Sequence, residues 1–242
     1  MKKYEFTEES KIVDGKTLHR IKALKSFDDV TVDDLGGFVE SERNLSHGGN
    51  CWVHNNACVF GNAQVLENAH ISGEARIYDN AKVYGHARVF GRASIYDNAI
   101  VFDRVYISCN AKVHGSSCVY HNARIWNRAD ISDQVVVKGY ANISGNIKAT
   151  GLVEFFGTTR LNFDMGISNN NDIFSITNVG SENGTLTVAR DSQTGEIYCN
   201  RGCFNGTLDE FIYAVSEKPS TDNTKIEYLK IIEFIKLKFN VK

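Results

Sequence analysis

Hydrophobic positions recur every six residues between Cys51 and Thr158, through eighteen consecutive hexapeptides without an inserted or deleted residue. The aliphatic place is β-branched in an unbroken series from Val53 to Ile143. A small residue, usually Ala, stands four places later, and Gly, Asn and Asp fill many of the places between. A period of six cannot hold an apolar stripe on one side of a 3.6-residue helix. The pattern therefore predicts short strands joined by tight corners.

Short fixed repeats indicate a solenoid, because each unit buries its apolar face only by stacking on its neighbours. An aliphatic residue followed four places later by a small one resembles the hexapeptide motif of left-handed parallel β-helices, in which three hexads make one triangular coil. The resemblance implies about six coils, a prism of roughly 29 Å at the ~4.8 Å spacing of neighbouring strands. The single proline, Pro219, lies outside the repeat, as an interior sheet requires.

The flanking segments predict a mainly β fold with a cap at one end and a mixed unit at the other. Alternation around Asp14-Gly15 predicts a hairpin, and residues 1–50 are interpreted as an N-terminal β cap. Residues 51–163 form the hexapeptide-repeat β-helix. Residues 164–242 are predicted to contain a small antiparallel β segment followed by C-terminal α-helices.

Two helices are predicted in the last segment. The first starts at a capping box on Thr207 and ends at Pro219, and the second runs from Thr221 or Asp222 to Phe239. Each carries an apolar stripe that must be buried. The far end of the prism, one of its faces and another copy of the chain are the possible partners.

The composition limits the class of protein but indicates no function. The chain has 242 residues, 42% of them hydrophobic, and a formal net charge of −2, which indicates a globular protein without polyelectrolyte character. It has no run of eighteen apolar residues, and its N-terminal stretch lacks signal-peptide character, so we expect a cytoplasmic protein without membrane contact. Six cysteines show no metal-ligand spacing and are expected to be reduced thiols.

Residues eighteen apart stack on the same face of a β-helix, and one such face alternates guanidinium groups with aromatic rings. The predicted partner-binding residues are Trp52, His70, Arg88, Phe90, Arg92, Arg104, Tyr106, Arg124, Trp126 and Arg128. Arginine pairs with carboxylates or phosphates, and Trp, Tyr and Arg dominate protein interaction sites. The alternative is a solvated ladder of rings that stabilises the sheet. A protein partner is favoured over nucleic acid because the net charge is slightly acidic.

A second face is too apolar to be left exposed to solvent. It carries Tyr84, Ile100, Phe102, Cys118, Tyr120 and Val136. Large exposed apolar patches usually mark a contact. We expect the C-terminal helices or another subunit to cover this face, and we expect a homo-oligomer, a dimer or a trimer.

No metal ligand and no cofactor are expected. Asp79 and Asp97 stand one coil apart and could hold a cation through oxygen ligands. Acidic side chains at corners more often accept hydrogen bonds from backbone amides.

The repeat resembles that of two enzyme classes. Hexapeptide acyltransferases use a histidine base and bind acetyl-CoA between subunits, which makes His70, His86, His114 and His121 candidate bases. Those enzymes usually have a long loop that interrupts the array, and this array has none. Gamma-class carbonic anhydrases hold zinc with three histidines, whereas His114 and His121 here fall on different faces. We therefore expect no catalytic residues, with an acyltransferase as the alternative and zinc-dependent hydration as a weaker one.

A longer resemblance follows the order of the segments. GKTLHRIKAL, DLGGFVESERNLSHGGNCWV, the AxVxGN and AxIYDN hexads and GCFNGTLDEF follow one another as in hexapeptide-repeat proteins encoded by phages and prophages. The resemblance implies a phage protein in the cytoplasm of a bacterial host. It implies a non-catalytic binding protein whose partner is a host macromolecule, with inhibition of a host defence or regulatory factor as the expected role.

Overall fold

The computed structural model describes residues 2–218 and 223–241. Its body is a parallel β-solenoid of about seven turns, with a hairpin before it and a four-stranded antiparallel sheet and two helices after it. The predicted mainly β fold is confirmed. The solenoid has about one turn more than the hexads alone predict, because further strands join it at both ends.

Three sheets form the sides of the solenoid. The ten-stranded sheet contains, in order, β1 (Tyr4–Val13), β2 (Lys16–Ala23), β3 (Leu35–Val39), β5 (Cys58–Val59), β8 (Arg76–Ile77), β11 (Ser94–Ile95), β14 (Lys112–Val113), β17 (Asp130–Ile131), β20 (Lys148–Ala149) and β23 (Gly166–Ile167). The seven-stranded sheet contains β4 (Trp52–Val53), β7 (His70–Ile71), β10 (Arg88–Val89), β13 (Tyr106–Ile107), β16 (Arg124–Ile125), β19 (Asn142–Gly145) and β22 (Arg160–Phe163). The six-stranded sheet contains β6 (Gln64–Val65), β9 (Lys82–Val83), β12 (Ile100–Val101), β15 (Cys118–Val119), β18 (Val136–Val137) and β21 (Glu154–Phe155).

Residues eighteen apart pair in parallel, as the repeat predicts. Arg88 pairs with Tyr106 and Val89 with Ile107, and the same register continues through each of the three sheets. The β-branched places are fully buried, and so are the alanines four places later. Each strand therefore turns one side chain into the core and presents its neighbours outside.

The N-terminal hairpin covers the first turn. Asp14 and Gly15 join β1 to β2 with positive φ angles of 49° and 77°. Strand β2 is antiparallel to β3, which pairs in parallel with β5, so the hairpin extends the ten-stranded sheet beyond the first coil. Its tip bends over the outside of the solenoid, where Asp14 binds the guanidinium of Arg76.

The C-terminal unit closes the other end. It consists of β24 (Ile173–Val179), β25 (Gly184–Arg190), β26 (Ile197–Arg201), β27 (Phe204–Thr207), α1 (Leu208–Ser216) and α2 (Asn223–Phe239). Backbone amides of the last solenoid strands donate to this sheet: Arg160 N to Thr187 Oγ1 at 3.1 Å and Gly166 N to Asp191 Oδ1 at 2.9 Å. Short 3-10 helices lie at Glu42–Asn44 and Asn170–Asp172.

Both helices pack on this sheet in a core of their own. Phe211 of α1 and Ile235 of α2 join Val188 and Cys199 of the sheet in that cluster. The predicted capping box is present, since Thr207 Oγ1 accepts the amide of Glu210. The predicted helix end at Pro219 and the predicted start at Thr221 or Asp222 lie outside the described residues. Within the described ranges, no helix has the length and apolar character to cross a membrane.

Candidate partner-binding groove

A groove of about 570 Å³ runs along the seven-stranded sheet and its neighbouring corner. It is lined by His86, Arg88, Arg104, Tyr106, Asn122, Arg124, Tyr140, Asn142 and Arg160. We refer to these nine residues as the arginine groove. Its dimensions follow from the repeat, because its residues form two columns with a spacing of eighteen.

The arginines alternate between the two columns. The sheet column places Arg88, Tyr106 and Arg124 on consecutive paired strands, and it continues to Asn142 and Arg160. The corner column contributes Arg104 beside Tyr106 in the same coil. Three successive coils thus each supply one guanidinium group, at steps of about 4.8 Å along the prism.

The charge of the groove is uncompensated. Arg88, Arg104, Arg124 and Arg160 are exposed, and in the described part of the chain none forms an ion pair. No carboxylate is among the residues that line the groove. Arg124 lies over the Tyr106 ring at 5.7 Å, which orients its guanidinium plane. Planar, unpaired guanidinium groups in a row are suited to carboxylates or phosphates.

Four predicted partner-binding residues, Arg88, Arg104, Tyr106 and Arg124, line the arginine groove. Phe90 and Trp126 are exposed beside it, at 40% and 37% of their surface. Trp126 Nε1 donates to Asn142 Oδ1 at 2.6 Å, which ties its ring to the groove wall.

Arg92, Arg128 and His70 lie outside the groove. Arg92 donates to Glu74 at 2.8 Å, so its charge is already paired, and Arg128 is exposed at a corner. His70 belongs to a separate cluster described below.

Trp52 is a correction to the predicted surface. It stands in the expected column but is only 1% exposed. Tyr4 and Phe27 pack edge-on against its ring, with centroids 6.1 and 5.5 Å away. The cap residues that cover Trp52 lie outside the repeat, so the spacing alone made Trp52 look accessible.

Five groove residues are not in the predicted partner-binding set: His86, which was predicted only as a candidate base, and Asn122, Tyr140, Asn142 and Arg160. Their signal was present, because each lies a multiple of eighteen from Arg88 or Arg104. Arg160 falls just beyond the last counted hexad, where β22 continues the column.

A second cluster lies at the N-terminal end of the same sheet. His54 Nε2 and His70 Nδ1 are 2.9 Å apart, and His70 Nε2 lies 3.1 Å from Asp28 Oδ2. Asp29 Oδ1 lies 3.9 Å from His70 Nδ1. Burial lowers the pKa of both histidines, although the nearby aspartates act in the opposite direction. The sequence assigns no metal ligands to these residues, because Asp28 and Asp29 lie outside the repeat.

The remaining candidate bases are dispersed. His86 lines the arginine groove, and His114 Nε2 contacts Asp130 at 2.8 Å on the ten-stranded sheet. His121 lies at a corner, with its ring edge-on to Tyr120. The corner acids accept hydrogen bonds from backbone amides: Asp97 Oδ2 accepts the Gly115 amide at 3.0 Å. All six cysteines are free.

The apolar face retains its predicted columns, but the C-terminal helices do not cover it. The rings of Tyr84, Phe102 and Tyr120 stack with centroids 5.1 and 5.0 Å apart. Ile100 keeps 37% of its surface exposed. Helix α1 instead packs on the antiparallel sheet at the end of the solenoid, and α2 buries Tyr228, Ile232, Ile235 and Phe239 there. Ile226 and Leu229, on the predicted apolar stripe of α2, stay exposed.

Neither the known family models nor the curated proteins contain a match to this chain.

Proposed function

We propose that the chain is a non-catalytic binding protein that holds an acidic segment of a protein partner in the arginine groove. The observation that carries the proposal is the row of unpaired guanidinium groups, one from each of three successive coils. Such a row attracts a linear anion that lies along the prism, because each coil presents one positive charge to it.

A protein partner fits the surroundings of the groove better than nucleic acid does. Phe90, Trp126 and Tyr140 are exposed around the arginines, and clusters of aromatic residues with arginine dominate protein interaction sites. The chain as a whole carries a formal charge of −2, whereas nucleic-acid-binding domains are usually basic. Acidic residues elsewhere on the surface would repel a long phosphate backbone but not a short acidic segment.

The biological setting of the proposal comes from the resemblance to phage and prophage hexapeptide-repeat proteins. In that setting the chain acts in the cytoplasm of a bacterial host. Its partner is a host defence or regulatory factor, which it inhibits by occupying an acidic surface.

Charge reversal in the groove tests the proposal. Arg88→Glu with Arg124→Glu should abolish binding of a fluorescent Glu-rich peptide, measured by anisotropy at low and physiological salt. The matched control is Lys82→Glu with Lys112→Glu, which makes the same change of net charge at two exposed residues on the other sheets. The control should bind like the unaltered chain.

Two further probes separate the partner classes. A single-stranded oligonucleotide of similar charge should bind more weakly than the peptide. Host proteins that the immobilised unaltered chain and the control variant retain should not be retained by the groove variant. Equal peptide binding by the groove variant and the unaltered chain would refute the groove assignment. Tighter binding of the oligonucleotide would refute the protein partner.

An acyltransferase is the second candidate, because His86 alone among the four candidate bases lines the arginine groove. Its imidazole could act as base while the guanidinium groups hold the phosphates of acetyl-CoA. Saturable acetyl-CoA binding that is lost in His86→Gln and in the groove variant would favour the enzyme over the binding protein.

We also propose that the apolar face mediates self-association into a dimer or trimer. Its stacked rings and the exposed Ile100 form a contiguous apolar surface that no described segment covers. Ile100→Glu should lower the mass measured by light scattering to that of a monomer, whereas Lys112→Glu on another sheet should not. A monomeric unaltered chain would contradict this proposal.

A further inference from the structure

The cluster at the N-terminal end of the seven-stranded sheet brings two imidazoles and a carboxylate to one point. His54 follows β4, His70 opens β7, and Asp29 comes from the loop between β2 and β3. One ligand-type atom from each, the ring nitrogens and a carboxylate oxygen, lies within 4.8 Å of the others. Both histidines are half-buried, and Asp29 faces solvent.

The hydrogen bond between the rings defines which atoms are available. His70 Nε2 lies 3.1 Å from Asp28 Oδ2, so the Nε2 proton is donated to that carboxylate. His70 Nδ1 therefore carries a lone pair and accepts from His54 Nε2 at 2.9 Å. If the proton on His54 Nε2 moves to Nδ1 of the same ring, both His54 Nε2 and His70 Nδ1 carry a lone pair. A cation can then take the place of the proton between them, with both nitrogens as ligands.

The distances suit zinc. Two ligand atoms each about 2.0–2.1 Å from a tetrahedral ion lie roughly 3.3 Å apart, so His54 Nε2 and His70 Nδ1 must separate by only about 0.4 Å. Asp29 Oδ1, 3.9 Å from His70 Nδ1, can approach freely because its side chain is exposed. Imidazole and carboxylate ligands together favour zinc over calcium or magnesium, which prefer oxygen alone.

We propose that Asp29, His54 and His70 form a binding site for zinc, with Asp28 orienting His70. A carboxylate that accepts the second ring N–H of a ligating histidine is the usual outer partner in zinc sites, and Asp28 occupies that position. The contact favours the tautomer that ligation by His70 Nδ1 requires, with the proton on Nε2.

The three proposed ligands line a cavity of about 440 Å³, which Arg88, Phe90 and Tyr106 also line. Arg88 and Tyr106 also belong to the arginine groove, so an anion held there could reach the metal. The zinc site itself does not depend on the proposed function of the groove, since none of its ligands lines that groove.

The test is the zinc affinity of the untagged full chain. The protein is stripped of metal with a chelator and then titrated with Zn²⁺ in competition with a chelating dye. The expected result is one zinc per chain. Asp28→Asn should weaken binding about 10–100-fold, as expected for loss of an outer partner. His54→Gln, His70→Gln and Asp29→Asn should each weaken it further.

His114→Gln is the matched control. His114 is another half-buried histidine in contact with an aspartate, Asp130 at 2.8 Å, but it lies on the ten-stranded sheet. This variant should bind zinc like the unaltered chain. Circular dichroism verifies that each variant is folded. If a histidine variant is unfolded, Asp29→Asn still tests the site, because Asp29 is exposed and its replacement should not disturb the fold.

Cobalt gives a second readout. Co²⁺ in the proposed site should show the intense visible absorption of a four- or five-coordinate ion, and Zn²⁺ should displace it. Absence of stoichiometric zinc binding, unchanged affinity in His70→Gln and Asp29→Asn, or a weak six-coordinate cobalt spectrum would each overturn the proposal.

Discussion

At the scale of single residues, the solenoid depends on corners with positive φ. Glycine fills some of them, and aspartate or asparagine fills others, including Asp97 and Asp133. Both acids accept an amide from the next coil, from Gly115 at 3.0 Å and from Gly151 at 2.9 Å. The corner acids therefore offset the conformational cost of their backbone by linking one coil to the next.

Gly85 is a corner glycine with little space for a side chain. Its φ is +71°, and a Cβ built there would lie 2.5 Å from the Asp103 nitrogen of the next coil. We expect Gly85→Ala to lower the free energy of unfolding by more than the 1–2 kcal/mol or so that a left-handed alanine costs.

Gly15→Ala is the control for that substitution, because its φ is +77° but nothing lies within 4 Å of the added Cβ. It should show the conformational cost alone. Urea denaturation followed by circular dichroism compares the two variants, and equal losses would show that the contact between coils at Gly85 is unimportant.

The cysteines give a second residue-scale prediction. Cys199 is buried between the antiparallel sheet and the helices, and burial raises its pKa to about 12. Cys109 and Cys203 are exposed. Because the thiolate is the reactive form, brief iodoacetamide treatment at pH 8 should label Cys109 and Cys203 but leave Cys199 unmodified until the chain is unfolded. Peptide mass spectrometry reads the labelling, and equally fast modification of Cys199 would contradict its buried position.

At the scale of strands, the stacking of the repeat could be predicted from the sequence. A spacing of eighteen relates the stacked rings of Phe60, Tyr78, Tyr96 and His114, whose neighbouring centroids are 4.5–5.1 Å apart. It also placed Arg88, Tyr106 and Arg124 in one column. The period sets these contacts because each strand pairs with the strand one coil away.

The contacts that join the repeat to other segments could not be predicted in the same way. Nothing in the hexads shows that Tyr4 and Phe27 cover Trp52, or that Asp28 and Asp29 approach His70. The positions of these partners depend on the path of the N-terminal cap, which has no periodicity. The helices were predicted as elements, but the face that they cover was not, since an apolar stripe does not specify its partner.

At the scale of the whole molecule, both ends of the solenoid are covered by non-repetitive structure. Open strand edges favour association with other chains, so an uncapped solenoid would tend to aggregate. At the first coil, the buried Asn44 donates to the carbonyls of Gly61 and Ala63 at 3.1 and 2.9 Å. At the last coil, the antiparallel sheet takes this role, and Asp191 is one of the residues that connect it to the solenoid.

Asp191 should make this connection sensitive to acid. Its buried carboxylate accepts the Gly166 amide at 2.9 Å, the Gln193 amide at 3.2 Å and the Thr194 hydroxyl at 2.7 Å. Burial alone would raise its pKa, but these hydrogen bonds together outweigh burial and hold the pKa below its ordinary value. A lowered pKa in the folded chain means that the stabilisation is complete above the unfolded-state value of about 3.9 and is lost as the pH falls through the folded-state value.

We therefore expect Asp191→Asn to be less stable than the unaltered chain by about 1.5–3 kcal/mol at pH 7, the usual contribution of hydrogen bonds to a charged group. The difference should stay nearly constant from pH 7 to about pH 4 and shrink at pH 3 and below, because the stabilisation by the ionised side chain is lost only below the unfolded-state pKa of about 3.9. Urea denaturation at each pH measures it, with Glu8→Gln as a control at an exposed acid. A difference that stays constant down to pH 3 would show that the charge of Asp191 does not hold the C-terminal sheet against the last coil. A difference that vanishes would show that the ionised carboxylate of Asp191, rather than its shape, stabilises the closure of the solenoid.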